Sequence, residues 1–105
     1  MNIKTIQKLC VDGSIRWSNH ILIRLLQRGI AIKDVKYALL CGKIIEEYPT
    51  DYPYPSCLIL GMTVNNQYIH IVCGIAEDEL WLITAYYPDP AEWSEDFTQR
   101  RRQQQ

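Results

Sequence analysis

Hydrophobic and polar positions follow two different periods along the chain, and the change between them falls at Gly42. Before that glycine, apolar residues recur every three or four positions, as they do on one face of an amphipathic helix. The pattern predicts three helices, over residues 2–11, 19–28 and 32–41. Ser18 is placed to cap the second helix, and Gly29 suits the left-handed position that ends it.

After Gly42 the period shortens to two, which is typical of strands with one buried face. Runs rich in β-branched and aromatic residues predict four strands, over residues 43–48, 57–64, 68–76 and 80–87. Short polar connections at residues 65–66 and 78–79 favour an antiparallel meander of the last three. The proline-rich segment PTDYPYP, residues 49–55, predicts an irregular loop.

These elements predict a single α+β domain over residues 1–99, with N-terminal helices packed on one face of a small antiparallel β-sheet. Trp93 and Phe97 are expected to fold back onto this domain. The last residues, 100–105, are basic and rich in glutamine, and we expect them to form a disordered tail. On the second helix, the apolar face toward the sheet is expected to comprise Ile21, Leu22, Leu25 and Leu26.

Composition is that of an ordinary globular domain, with 48% hydrophobic and 22% charged residues. No apolar run reaches the roughly 18 residues that a membrane span needs, and the first residues lack the apolar stretch of a signal peptide. The cysteines form no CxxC pair and no zinc-ligand pattern, so we expect reduced thiols, no metal site and no cofactor. A cytoplasmic protein is the expectation that follows.

Charge is unevenly distributed, although the net charge is only −1. Residues 1–43 carry eight Lys or Arg and two acidic residues, whereas residues 44–99 carry ten acidic residues and no Lys or Arg. The asymmetry has two interpretations: a solvated surface that is merely uneven, or a basic face that meets phosphate with an acidic face turned away or toward a basic partner. The charge pattern alone leaves both open.

One stripe of the second helix carries three cationic or titratable side chains. His20, Arg24 and Arg28 lie four positions apart, so each step drifts only about 40° around the helix. An imidazole titrates near neutral pH, and a guanidinium donates two parallel hydrogen bonds to a phosphate. This combination suits proton transfer and phosphate binding.

The predicted sheet offers a second polar group of side chains. By alternation, Tyr68 and His70 share one face of their strand. If the last two strands pair through the turn at residues 77–79, His70 becomes a cross-strand neighbour of Thr84 or Tyr86. We therefore expect these side chains to meet the helical stripe in a cleft between helix and sheet.

Several motifs resemble a known bacterial and cyanobacterial domain family of unknown function. They are W-S-x-H-x-x-x-R-x-x-x-R-G-I, P-Y-P-S-C-L-x-L-G, I-H-I-V and I-T-x-Y-x-P-D-P-x-x-W, and they extend from about Trp17 to Trp93. The resemblance implies a distant relation to the RelE/MqsR-like toxins, which are ribonucleases of compact α+β fold. It also implies a protein partner, because genes of this family often lie beside one for an MqsA-type zinc-finger protein.

The toxin relation leads to a hypothesis of metal-independent endoribonuclease activity, in which the 2′-hydroxyl attacks the adjacent phosphate. His70 is the leading acid or base, with His20 sharing that work, and Arg24 holds the scissile phosphate. Tyr86 donates to a phosphate oxygen or the leaving group. The expected substrate-binding residues are Arg28, Thr84 and Tyr68.

Less specific interpretations exist for the same residues. The arginines could pair with Glu46, Glu47 or Asp89, and His70 could be a buried partner of Thr84. The tyrosine-rich loop could be purely structural or could stack on bases. The whole domain could instead be a non-catalytic interaction module that binds the zinc-finger protein, with its acidic half and tyrosine loop suited to a basic or extended peptide. A homo-oligomer is also compatible with the sequence.

Overall fold

The structure is a computed structural model that describes residues 1–101. Its α+β fold confirms the predicted class, with three helices that precede most of a five-stranded sheet. None of these helices is long and apolar enough to cross a membrane. The elements in chain order are α1 (Ile3–Val11), β1 (Ile15–Trp17), α2 (Asn19–Arg28), α3 (Ile32–Cys41), β2 (Lys43–Tyr48), β3 (Ser56–Met62), β4 (Tyr68–Ala76) and β5 (Glu79–Tyr86).

The sheet is mixed, which corrects the expectation of a purely antiparallel one. Its strand order is β1-β5-β4-β3-β2, and the four predicted strands, β2 to β5, pair antiparallel with one another. The additional strand, β1, runs parallel to β5, with Ile15 opposite Leu80 and Trp17 opposite Leu82. Three residues are too few to show a period of two, so β1 was not predicted.

The ends of α2 form as the sequence predicts. Ser18 has an extended backbone, and its hydroxyl accepts a hydrogen bond from the backbone N–H of Ile21 at 3.2 Å. Gly29 follows the last turn with φ 66° and ψ 33°, the left-handed conformation that glycine adopts without strain. These two residues fix where α2 starts and stops.

The hydrophobic core lies between the helices and one face of the sheet. Its members come from all three helices and from β3, β4 and β5, and the fully buried ones include Ile6, Ile21, Val35, Leu39, Ile59, Ile69, Ile71 and Leu80. The four cysteines are free thiols; Cys10, Cys57 and Cys73 are buried and Cys41 is exposed.

Helix α2 buries less apolar surface than its sequence pattern suggests. Ile21 and Leu25 are buried as expected, but Leu22 is 37% exposed and Leu26 is 83% exposed. The expectation for these two leucines was therefore wrong. Helix α2 packs against β5 near one edge of the sheet, so the width of its buried face is limited to one narrow row.

Part of the opposite face of the sheet is covered by residues 88–101, which we call the C-terminal segment. Trp93 is buried, and Phe97 stacks on Tyr68 with ring centroids 5.1 Å apart, so both residues fold back as expected. The predicted tail boundary changes, because Arg100 bonds the Glu46 carboxylate at 3.0 Å and the Arg101 N–H donates to the Glu92 carbonyl at 2.9 Å. The rest of the predicted tail lies outside the described residues.

Candidate functional site

The stripe of His20, Arg24 and Arg28, hereafter the α2 stripe, lies on the surface. All three residues are exposed. Within residues 1–101, neither arginine forms an ion pair with a carboxylate, and the only side-chain contact of Arg24 is a hydrogen bond from Nη1 to Gln27 at 3.5 Å. The alternative in which these arginines pair with acidic residues is therefore not what the described structure shows. The stripe presents uncompensated positive charge to solvent.

Arg28 connects the α2 stripe to the edge of the sheet. Its Nη1 donates to the Thr84 hydroxyl at 3.1 Å and to the Ala85 carbonyl at 2.8 Å. Strand β1 pairs with β5 only as far as Leu82, so the Ala85 carbonyl lies on an uncovered part of the β5 edge. Two of the predicted site residues, Arg28 and Thr84, are thus brought together, while Arg28 Nε and Nη2 have no partner within residues 1–101.

His70 lies on the sheet face opposite the helices, in a closed environment. The residue is fully buried, and its ring lies edge-on to Trp93 with centroids 4.4 Å apart. Nε2 is 2.9 Å from the Phe97 carbonyl, and Nδ1 is 3.3 Å from the Tyr86 hydroxyl. A carbonyl only accepts, so Nε2 carries the proton, Nδ1 accepts, and Tyr86 donates.

The register of the last two strands confirms the predicted neighbours of this histidine. His70 lies directly opposite Tyr86, and Val72 lies opposite Thr84. The contact is therefore with Tyr86. A bond to Thr84, which the sequence left open, is not formed because Thr84 lies opposite Val72 and both ring nitrogens of His70 are bonded to the Tyr86 hydroxyl and the Phe97 carbonyl.

Burial keeps this cluster uncharged. It lowers the pKa of His70 below its usual value, although the hydrogen bond to the Phe97 carbonyl and the nearby Glu46 charge act in the opposite direction. It also raises the pKa of the Tyr86 phenol. Near neutral pH the ring of His70 is a neutral imidazole that donates one hydrogen bond and accepts another.

An ion-paired network closes the cluster from outside. Arg100 donates from Nε and Nη2 to the Glu46 carboxylate at 3.0 and 3.2 Å, and its guanidinium lies 4.7 Å from the Trp93 ring centroid. Burial opposes ionisation of Glu46, but the bonds from Arg100 and Tyr48 outweigh it and hold the pKa of Glu46 below its usual value. Burial and the same carboxylate raise the pKa of Tyr48 to about 12.

The predicted site residues therefore form two groups and not one open cleft. Arg28 and Thr84 meet at the outer edge of β5, and the α2 stripe also carries His20 and Arg24. His70, Tyr86 and Tyr68 lie beneath the C-terminal segment. The catalytic role of His70 stays a prediction, but in this arrangement its ring has no access to a substrate in solution because it is fully buried.

Sequence reasoning expected Trp93 and Phe97 to fold back onto the domain, but it did not place them, or the Glu46–Arg100 pair, over His70. His70 and Phe97 are 27 residues apart in sequence, and Glu46 and Arg100 are 54 residues apart. No pattern of residue types links the members of either pair across such a separation. In residues 1–101 no cluster of three or more His, Cys, Asp or Glu side chains is arranged to hold a metal ion.

Comparison with known proteins gives one match. A profile of the family described as "Domain of unknown function (DUF4258)" matches residues 17–87. No curated protein and no solved structure matches the chain. The matched range contains the α2 stripe and both partners of the His70–Tyr86 contact, but it excludes α1 and the C-terminal segment.

Proposed function

The chain belongs to the DUF4258 family of domains of unknown function, and on that premise we propose that it is a toxin-type endoribonuclease that binds RNA along the α2 stripe. The observation that supports the proposal most is the stripe itself, with two exposed arginines that form no ion pair within residues 1–101. Phosphate binding needs cations that are not already neutralised by carboxylates. The relation to toxins comes from the resemblance of the sequence motifs.

The spacing of the stripe suits a chain of phosphates. Residues four apart on an α-helix rise by about 6 Å per step, so Arg24 and Arg28 present two guanidinium groups in succession. Arg24 has the freer side chain and would hold the scissile phosphate. Arg28 is fixed by Thr84 and Ala85 through one nitrogen and can use its remaining N–H groups for a neighbouring phosphate.

Cleavage by 2′-hydroxyl attack requires one proton to leave the attacking oxygen and another to reach the departing 5′-oxygen. His20 is the exposed imidazole of the predicted pair, so we assign the proton transfer to it. Negative charge grows on the phosphorane during the attack, and Arg24 would stabilise it. His70 and Tyr86 would take part directly only if the C-terminal segment moved away.

The test is cleavage of a fluorophore-labelled RNA in the presence of EDTA by wild type, His20→Ala, Arg24→Ala and Lys36→Ala. Loss of an acid–base residue reduces the rate by about 10²–10⁴-fold, and loss of a charge that stabilises the phosphorane reduces it by about 10²–10³-fold. Lys36 is an exposed cation on α3 and serves as the matched control. Because His20 and Arg24 are exposed, all three variants should melt within about 2 °C of wild type.

Two results would contradict the ribonuclease proposal. One is that the wild-type protein cleaves no RNA in this assay and, when expressed alone in cells, leaves their growth unaffected. The other is a loss of activity in Lys36→Ala equal to that in Arg24→Ala, because the effect would then reflect general charge and not the α2 stripe.

A second candidate function is an interaction module, and the outward face of α2 favours it. Ile23 is 55% exposed and Leu26 is 83% exposed, on a helix that a purely structural role would leave polar on this side. An amphipathic helix with an uncovered apolar side is a common docking element. The partner implied by the family resemblance is the zinc-finger protein encoded beside such domains.

Titration calorimetry with that zinc-finger protein tests the module. Leu26→Glu should weaken binding by at least about tenfold, because a charge would be buried at the contact. Val11→Glu is the control, since Val11 is 72% exposed on α1. Equal affinity for wild type and Leu26→Glu would exclude α2 as the docking surface.

A further inference from the structure

A groove lies on the sheet face opposite the helices, away from the α2 stripe. Its cavity has a volume of about 140 Å³ and is lined by the loop after β2 and by β4 and β5, with Asp51, Tyr52, Tyr54, Gly74, Trp81 and Ile83 among the lining residues. We call it the aromatic groove. The function proposed above uses none of these residues.

Gly74 forms the floor of the aromatic groove. It pairs with Trp81 on β5 and with Ser56 on β3, so the floor lies between the indole on one side and the tyrosine loop on the other. A Cβ at this position would lie 2.6 Å from the Pro55 carbonyl oxygen. Only glycine therefore lets the loop at Pro55 approach the sheet this closely. It also leaves the space over β4 beside Trp81 free of a side chain.

Aromatic side chains form the walls. Tyr52 is 91% exposed, Tyr54 44% and Trp81 36%, which is unusual exposure for three large rings around one depression. The Trp81 indole is fixed in orientation, because its Nε1–H donates to the Ala76 carbonyl at 3.2 Å. Its ring already holds a cation on the β1 side, where the Arg16 guanidinium lies 5.6 Å from the centroid.

The rim of the aromatic groove is acidic. The Asp51 carboxylate holds the loop by accepting from the Ser56 hydroxyl at 2.6 Å and from the Tyr52 N–H at 3.0 Å. Glu77 and Asp78 follow the lining residue Ala76 in the turn between β4 and β5. None of these three carboxylates forms an ion pair within residues 1–101, and residues 44–99 contain no Lys or Arg.

We propose that the aromatic groove binds an extended peptide segment of a partner protein through an arginine or lysine side chain. Aromatic rings attract a cation over their faces, and the acidic rim adds a favourable potential for the same charge. A nucleic acid is disfavoured here, because its phosphates would be repelled by the uncompensated carboxylates. The proposal does not depend on RNA binding at the α2 stripe, because none of the three stripe residues lines the aromatic groove.

The experiment uses an N-acetylated, C-amidated heptapeptide in which arginines alternate with glycine and proline, titrated into ¹⁵N-labelled protein. The indole N–H resonance of Trp81, assigned from the spectrum of Trp81→Phe, should shift on binding. The same peptide with citrulline in place of arginine keeps the shape but loses the charge. It should bind at least about tenfold more weakly.

Variants locate the binding site. Tyr54→Leu should lower the affinity for the arginine peptide by about fivefold, while Tyr37→Leu should leave that affinity unchanged. Tyr37 is the matched control because it is 46% exposed on α3, away from the aromatic groove. The amide spectra of both variants, recorded without peptide, show directly that each is folded.

Three outcomes would overturn the proposal. The citrulline peptide could bind as tightly as the arginine peptide, which would remove the role of charge. Shifts could fall elsewhere with the Trp81 indole unmoved. An oligouridylate could move that indole at lower concentration than the peptide, which would make the aromatic groove a nucleobase site.

Discussion

At the scale of single residues, His70 links two elements, because its ring bonds the Tyr86 hydroxyl on β5 and the Phe97 carbonyl in the C-terminal segment. The His70–Tyr86 contact was predictable, because a short turn fixes the register and the register fixes cross-strand neighbours. Burial of His70 was not predictable, because it depends on the C-terminal segment. That segment is irregular and supplies the Phe97 carbonyl that accepts from the His70 ring. The exposure of Arg24 and Arg28 was not predictable either, because it depends on how far α2 lies toward the edge of the sheet.

Burial of His70 makes stability depend on pH. Burial lowers the pKa of His70 in the folded state. As pH falls, this imidazole is therefore protonated in the unfolded chain, near pH 6.5, before it is protonated in the folded one. The free energy of unfolding should therefore fall as pH drops from 7.5 to 5.5, and it should fall less in His70→Gln. Urea denaturation at both pH values measures the difference.

His20→Gln is the control for this pH effect, because His20 is exposed. It should retain the wild-type pH dependence. Glutamic and aspartic acids titrate mostly below this range, so they contribute little to the comparison. A wild type whose stability is the same at both pH values would show that the pKa of His70 does not differ between the folded and the unfolded chain.

At the scale of elements, periodicity predicted three helices and four strands, because each spans enough residues to repeat its pattern. Strand β1 failed this requirement, and its parallel pairing with β5 joins residues about 65 apart in sequence. The burial of α2 was overestimated for a different reason. An amphipathic pattern gives the direction of a helix face but not how much of the sheet is available to cover it, as Leu26 demonstrates.

The C-terminal segment is the element whose energetic role is most directly testable. A chain ending at Gln99 lacks the Arg100–Glu46 pair, the stacking of Arg100 on Trp93 and the Arg101–Glu92 backbone bond. Relative to a chain ending at Arg101, we expect a melting temperature lower by about 4–8 °C, which corresponds to about 1 kcal/mol in a domain of this size. Differential scanning calorimetry measures it.

Arg16→Ala in the chain ending at Arg101 is the matched control for that truncation. It also removes an exposed ion pair, to Glu79 at 3.0 Å, and a cation stacked on an indole. A smaller effect is expected from it, because Arg16 seals no buried cluster. Equal melting temperatures for the chains ending at Gln99 and Arg101 would mean that the C-terminal segment is held by Trp93 and Phe97 alone.

At the scale of the whole molecule, the charge asymmetry of the sequence is only partly a division between the two faces of the sheet, because Arg16 and Arg100 bring cations to Trp81 and Trp93 on the face away from the helices. The helix face carries the α2 stripe, and the other face carries the aromatic groove with its acidic rim. The sequence predicted that basic and acidic halves exist, but their placement depends on which face each loop and helix covers. That placement separates the surface that we propose binds phosphate from the surface that we propose binds a cationic peptide, so the two proposals do not compete for one site.

The bond from Arg28 to the Ala85 carbonyl also bears on whether the molecules stay apart from one another. Beyond Leu82, β5 has no neighbouring strand on its outer side among residues 1–101. Such unpaired backbone is a template on which identical chains can add and grow into fibrils. The Arg28 guanidinium bonds the Ala85 carbonyl, so this acceptor is not available to a strand of another copy. The guanidinium of an approaching copy would also be repelled by its positive charge. Replacing Arg28 would therefore cost solubility as well as any contact with RNA, and precipitation at high concentration would be its separate signature.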